Sequence, residues 1–370
     1  MKVLHFYRTY YPDSFGGVEQ VIRQMVTGST RLGIEAEVLT LTRDKARLEI
    51  EFEGHAVHRA PLNLEIASTG FSWPALTRFK QLAAQADIIH YHFPWPFMDM
   101  AHFACQIEKP SVVTYHSDIV RQKYLFKLYQ PLQNQFLQSV DRIVATSPNY
   151  LETSPTLAKF KEKTEIITYG LAKDIYPEPD QTCVQQWQTR FPQPFFLFVG
   201  MLRYYKGLHV LLDAVSGTNI PVVILGDGPV EAELKQQAQR LGLHHVHFLG
   251  ALPEQDKVAL IRQCYALVFP SHLRSEAFGI TLLEAAMFGK PMISCEIGTG
   301  TSYVNQHQQT GLVTAPSDPH ALRVAMQKLL AHPAEAAQMG IRAAQRYETL
   351  FTADRMATKY QRLYERLLSV

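Results

Sequence analysis

The run Phe195-Phe196-Leu197-Phe198-Val199-Gly200-Met201-Leu202-Arg203-Tyr204-Tyr205-Lys206-Gly207-Leu208 sets the pattern for the chain. Five apolar residues after Pro194 read as a buried strand, Gly200 turns the backbone, and a helix opens at Gly207–Leu208. Outward toward the C-terminus the same unit recurs, with strands expected at 222–225, 246–249, 266–269 and 292–294. Outward toward the N-terminus they are expected at 165–168, 143–146, 112–115, 88–91, 36–41 and 3–7. Short apolar runs alternating with longer amphipathic ones are the pattern of parallel βαβ units. Between the two series, Pro177, Pro179, Pro192 and Pro194 mark a polar linker. The expected domains are therefore 1–175, a linker 176–194, a second domain 195–350 and a C-terminal helix 351–370 that packs back on the first domain. Residues 318–370 read as helix throughout, broken only near His332–Pro333. The fold class is α/β: two doubly wound, Rossmann-like domains whose ligands bind beyond the strand C-termini, facing a central cleft.

Composition narrows the function classes. Hydrophobic residues make up 46% of the 370 and charged residues 19%, a globular profile with ample core. A net charge of +2 is too mild for a nucleic-acid binder. No apolar stretch is long enough to span a bilayer, and the N-terminal Met1–Arg8 reads as a strand rather than a signal peptide. Cys105, Cys183, Cys264 and Cys295 are scattered, which suits buried thiols in a reducing cytoplasm.

Four strand-to-helix loops carry the chemistry, because backbone N–H groups and the helix dipole converge there on an anion. After the first strand, Gly16-Gly17-Val18-Glu19 permits a tight turn with close backbone approach, although a glycine turn without any ligand fits equally. In the loop after Val199, Gly200 is followed by Arg203 and Lys206, three residues apart ahead of a helix. Cations there oppose the dipole unless an anion lies between them, so they read as holding a diphosphate without a metal. Glu276-Ala277-Phe278-Gly279 leads into Glu284 on an apolar helix, where a buried carboxylate needs partners such as sugar hydroxyls. Finally, Thr114-Tyr115-His116-Ser117-Asp118 places a histidine at a strand end. His90 and His92 share one strand face, which argues against metal ligation, and no metal site is expected.

These loops, together with Gly226-Asp227-Gly228-Pro229 and Glu284-Ala285-Ala286-Met287-Phe288-Gly289-Lys290-Pro291, resemble glycosyltransferase family 4, the retaining GT-B enzymes. Phe6–Pro12 and Gly298–Asn305 are similar to bacterial O-antigen mannosyltransferases and D-rhamnosyltransferases. The resemblance implies a GDP-sugar donor and a lipid-linked or lipopolysaccharide glycan acceptor, with no cofactor. It implies that Arg203 and Lys206 hold the diphosphate, Glu284 the ribose hydroxyls, Glu276 the donor sugar and His116 the sugar hydroxymethyl. Gly17 would cap the distal phosphate, and Gly16, Gly200, Gly226, Asp227, Gly228, Phe278 and Gly279 would line the donor site.

Two other functions share this frame: a nucleotide-sugar epimerase and a non-catalytic nucleotide-sugar sensor. The first needs acid and base groups for elimination and re-addition that the motif loops do not supply. For membrane contact the best candidate is residues 119–140, which carry Arg121, Lys123 and Lys127 among aromatic residues and no acidic one. An ordinary core-facing stripe has the same spacing. The expected setting is cytoplasmic, peripheral on the membrane.

Overall fold

The computed structural model describes residues 1–66, 69–119 and 123–369, the side chains of 123–126 excepted. It divides into unit 1, Met1–Gly170 with Ala353–Val370, and unit 2, Leu171–Thr352.

Unit 1 is built on β1 (Lys2–Phe6), β2 (Glu35–Thr42), β3 (Glu49–Phe52), β4 (His55–Pro61), β7 (Ile88–Phe93), β8 (Ser111–Tyr115), β9 (Arg142–Ala145) and β10 (Thr164–Ile166), with β5 (Leu64–Ile66) and β6 (Thr69–Phe71) as a separate pair. The large sheet has the order β10-β9-β8-β7-β1-β2-β4-β3, parallel throughout except that β3 runs against β4. Every residue of β7 and β8 is buried, as a parallel sheet covered on both faces requires. The strand order reverses between β1 and β7. In such sheets the ligand crevice opens beyond the strand C-termini at that reversal. Against one face lies helix Gly17–Arg31, which buries Val21, Ile22, Met25 and Val26. The final helix, Ala353–Leu368, packs on it so closely that a side chain at Gly28 would come 2.8 Å from Ala357 Cβ. Tyr360 and Tyr364 of that helix reach the sheet, where Tyr364 meets His90 and Tyr360 meets Thr114.

Unit 2 holds β11 (Phe196–Val199), β12 (Val222–Leu225), β13 (Val246–Gly250), β14 (Ala266–Phe269), β15 (Met292–Cys295) and β16 (Gly311–Thr314), all parallel in the order β13-β12-β11-β14-β15-β16. Its reversal falls between β11 and β14, so the loops after Val199 and Phe269 flank the crevice position. Phe196, Phe198, Leu211, Val222, Ile224, Val268 and Ile293 form the core between sheet and helices.

Three boundaries differ from the sequence reading. The first segment of unit 1 ends at Gly170 rather than 175. The stretch 176–194 is folded into unit 2: Asp180 caps helix Gln181–Arg190 by accepting from Cys183 N at 2.8 Å, and Trp187 is buried with its indole N–H on Asp256, also at 2.8 Å. A polar helix with one buried edge has the composition of a linker. The C-terminal region also breaks a second time, at Phe351–Thr352, where Leu171 N–H bonds Phe351 O and the backbone forms a strand-like bridge. β3, β4, β5, β6 and β16 had no counterpart in the sequence reading.

Candidate active site

In unit 2 the loop after β11 meets the loop after β12 backbone to backbone. Leu202 N–H donates to Asp227 O at 2.6 Å, and a Cβ at Gly228 would sit 2.5 Å from Leu202 O. A Cβ at Gly226 would overlap the Gly200 carbonyl. Gly200, Gly226 and Gly228 thus have a structural reason to be glycine: they let the two loops touch. Gly207, at φ 71°, lies against the Pro270 carbonyl, which a side chain would strike.

That scaffold aims two cations differently. Lys206 is largely buried and forms an ion pair with Glu276, its ammonium 4.8 Å from the Phe269 ring centroid. Burial alone would lower its pKa, but the Glu276 carboxylate outweighs this and raises it. Glu276 also accepts from Ser271 Oγ at 3.4 Å. Arg203 is exposed, and its described contact is Nε to Met201 Sδ at 3.0 Å. An incoming anion therefore finds one open guanidinium beside a charge-balanced Lys206–Glu276 pair.

Glu284 projects from helix Ile280–Met287 and is 3% exposed. Lys257 at 2.7 Å and Tyr176 Oη at 3.0 Å both donate to its Oε1, so both described donors converge on one carboxylate oxygen. Burial would lower the Lys257 pKa, yet attraction to Glu284 and Glu254 raises it. The sequence reading missed Lys257 and Tyr176. Lys257 sits in a charged helix and Tyr176 in the presumed linker; the signal was the need of a buried Glu284 for a cation. Gly279 enters the helix at φ 86°. Phe278 is 2% exposed, and Gly300 stacks on it: a Cβ there would come 2.5 Å from the Phe278 ring. Arg274 donates to Gly298 O at 2.8 Å. These two contacts pin the Gly298–Thr301 loop to the Glu276 loop.

In unit 1 the loop after β1 leads into the Gly16–Gly17 turn. Ser14 Oγ donates to Glu19 at 2.7 Å, and a Cβ at Gly16 would overlap the Glu19 carboxylate, which lies against the turn. His116 follows β8. Both of its ring nitrogens are engaged, Nε2 with His92 Nδ1 at 2.9 Å and Nδ1 with Tyr169 Oη at 2.5 Å, and it is 2% exposed. A sugar hydroxyl bonding Nδ1 would have to take the place of Tyr169 Oη. His92 Nε2 lies 3.0 Å from His5 Nδ1, while His90 bonds Tyr364 and Thr114.

His5, His90 and His92 have ring nitrogens close enough to suggest a metal centre. Those nitrogens are already engaged, however: His5 Nδ1 lies 3.0 Å from His92 Nε2, His92 Nδ1 bonds His116, and His90 bonds Tyr364 and Thr114. A metal ion there would have to displace these hydrogen bonds. The geometry suits hydrogen bonding. Burial pushes the pKa of His5 and His116 down to about 3 and those of His90 and His92 well below the usual value, so all four are neutral at pH 7.

Glycine-bearing loops at the chain reversals of two doubly wound sheets are now matched by kinship. The model of Glycosyltransferase Family 4 matches residues 15–172, and that of Glycosyl transferases group 1 matches residues 182–346. The chain is 59% identical over 353 residues to D-rhamnosyltransferase WbpZ of Pseudomonas aeruginosa, covering 95% of this chain and 93% of that protein. The chain is a family 4 glycosyltransferase. It is also 52% identical over 369 residues to O-antigen chain mannosyltransferase C of Escherichia coli, covering 100% of this chain and 99% of that one. Among solved structures, sucrose-phosphate synthase from Thermosynechococcus elongatus superposes with a TM-score of 0.83 at 21% identity, covering 100% of this glycosyltransferase and 99% of that chain, and supports the GT-B fold. Anabaena HepE in complex with UDP-glucose gives 0.79 at 20% identity, with 100% of each chain covered. Among the described residues of the glycosyltransferase, no helix is long and apolar enough to cross a membrane.

Proposed function

We propose that this glycosyltransferase moves mannose or D-rhamnose from a GDP-sugar to a lipid-linked or lipopolysaccharide glycan, with retention at the anomeric carbon and without a metal ion. The observation that carries the reading is the pairing of open Arg203 with the buried Lys206–Glu276 pair at the β11 reversal, in a chain so similar to a rhamnosyltransferase and a mannosyltransferase. Arg203 and Lys206 take up the charge that develops on the departing diphosphate. Glu284, held through Oε1 by Lys257 and Tyr176, accepts from the ribose hydroxyls, and Glu276 from the sugar. His116 serves the sugar hydroxymethyl and Gly17 the distal phosphate, with Gly16 beside it; Gly200, Gly226, Asp227, Gly228, Phe278 and Gly279 shape the donor pocket. In the reaction the bond from the anomeric carbon to the phosphate oxygen breaks as the acceptor oxygen bonds the same face. The acceptor proton passes to the departing phosphate oxygen, which balances the step without a protein nucleophile.

A thermal-shift panel of GDP, UDP, ADP and dTDP, followed by transfer assays with GDP-mannose and GDP-D-rhamnose, tests the donor. GDP should give the largest shift, and transfer should survive EDTA. Preference for UDP, or activity lost to EDTA and restored by manganese or magnesium, would refute those parts.

The same reading puts the chain on the cytoplasmic face of the membrane, docked through residues 119–140. Arg121 lies outside the described residues, as do the side chains of Lys123 to Phe126. Of what is described there, Lys127 is exposed and Leu128 is 81% exposed on helix Lys123–Ser139. Charge reversal at Arg121, Lys123 and Lys127 should abolish sedimentation with anionic vesicles while leaving GDP binding intact.

A further inference from the structure

His5, His92, His116 and Tyr169 form one hydrogen-bonded series across unit 1, from β1 through β7 to the end of β8. The register explains how it arises. β1 and β7 set His5 beside His90, and the alternation along β7 brings His92 to the same face, next to the residue that follows β8. His5, His90 and His92 are fully buried. The row touches Tyr7 and His90 sideways, and Tyr169 stands at its end.

A neutral imidazole has one N–H and one lone pair. Three of them in series are satisfied only if every hydrogen bond points the same way, which leaves two arrangements. In one, protons point from Tyr169 toward His5, and His5 ends with an Nε2–H that no described residue accepts. In the other, His5 Nδ1–H donates to His92 Nε2, His92 Nδ1–H donates to His116 Nε2, and His116 Nδ1–H donates to the Tyr169 phenol oxygen. His5 Nε2 is then only an unfilled acceptor. Orphaned buried N–H groups are rarer than under-satisfied acceptors, so the second arrangement prevails. Which nitrogen of a histidine carries the proton is set by the hydrogen bond the other makes.

We propose that His92, oriented in turn by His5, is a positioning residue that fixes His116 as the Nδ1–H tautomer. His116 is thereby a hydrogen-bond donor to an oxygen at the place Tyr169 Oη holds. This rests on the reading that His116 serves the donor sugar, and it assigns that contact a direction: His116 donates to a sugar hydroxyl oxygen and does not take its proton. A lone solvated imidazole favours the Nε2–H form, so the row imposes the less common tautomer.

The test uses the full chain with 15N-labelled histidine, the His116 signals being assigned by their loss in His116→Ala. Long-range proton–nitrogen correlation should show wild-type His116 with its proton on Nδ1. A proton on Nε2 overturns the proposal whatever any variant does, so it stays testable should a variant fail to fold. His92→Phe removes the donor and should lower kcat about tenfold or more, with donor KM moving less than about threefold, and should move the His116 proton toward Nε2. His92→Asn places an amide N–H near the lost Nδ1 and should bring kcat back to within about threefold of wild type. Wild-type kcat in His92→Phe overturns the proposal, as does slow turnover with the His116 proton still on Nδ1 and no rescue by Asn. Wild-type turnover in His116→Ala would instead remove His116 from the catalytic reading. Slow His116→Ala beside normal His92→Phe would remove only the role given to His92.

Discussion

Lowering the pH from 7 to 5.5 should destabilise unit 1, through histidines that are neutral in the fold. His5 and His116 are held down to about 3 and His102 to about 4, while His90 and His92 lie well below the usual value, burial being the first cause in each. In the unfolded chain each titrates near 6.5. Between 6.5 and the folded value the unfolded state binds the extra proton, so stability is complete above pH 6.5 and falls as pH falls toward 3. By pH 5.5 His5, His116 and His102 have each cost about 1.2 kcal/mol relative to pH 7, or about 4 kcal/mol for the three, and His90 and His92 act in the same direction. Asp99 acts the other way. Its buried carboxyl is pushed well above the usual range and bonds Tyr129, so the folded state binds the proton more readily, which offsets part of that loss. A loss on the order of 4 kcal/mol is a large fraction of a typical domain's stability. Urea unfolding of Trp187→Phe isolates unit 1, because Trp73 and buried Trp95 are then the remaining tryptophans of the chain. The midpoint should drop by about 2 M at an m-value near 2 kcal/mol/M. An unchanged midpoint would mean that the histidines are charged in the fold or exposed to water, and the uncharged row would be refuted.

Arg203→Ala and Lys206→Ala should each lower kcat/KM by about 100-fold, measured as donor turnover with acceptor saturating; near wild-type values in both would take the pair out of the site. Lys257→Met should leave Glu284 buried without its cation, costing about 3 kcal/mol in unit 2 by urea unfolding and weakening GDP binding in the same variant. Gly207→Ala should destabilise unit 2 by more than about 2 kcal/mol, because the left-handed backbone and the Pro270 carbonyl both oppose a side chain; a loss under about 0.5 kcal/mol in thermal or urea unfolding would show that the loop relaxes freely.

The parallel strands were legible where burial on both faces makes them uniformly apolar, as in Phe196–Val199 and Val222–Leu225. The antiparallel edge strand β3, Glu49–Phe52, alternates half-exposed with exposed residues, and its turn through Glu53 and Gly54, at φ 49° and 79°, lacked the usual Asn-Gly or Asp-Gly signature. β16 is short and starts at Gly311, where a side chain would meet the Met292 carbonyl, so its composition hid a strand that tertiary contact imposes. Within the site, loop positions followed from strand ends, and the burial of Glu284 from its apolar helix. What did not follow were partners distant along the chain. Lys257 looks like a surface cation until the fold sets it 2.7 Å from Glu284. His92 looks like half of a strand's polar face until β1 and β8 place His5 and His116 on either side of it.

Unit 1 takes its last helix from beyond unit 2, and that has a consequence for biosynthesis. Ribosomal synthesis delivers Leu171–Thr352 in full before Tyr360 and Tyr364 exist. Until they emerge, His90 Nδ1 and Thr114 Oγ1 lack the two phenols that close the face of the first sheet. The later segment can thus reach its final state before the first is closed, against the usual N-to-C order of domain folding. A chain truncated after Thr352 should display a protease-resistant second unit attached to a labile first one, and restoring the final helix should act as the latch.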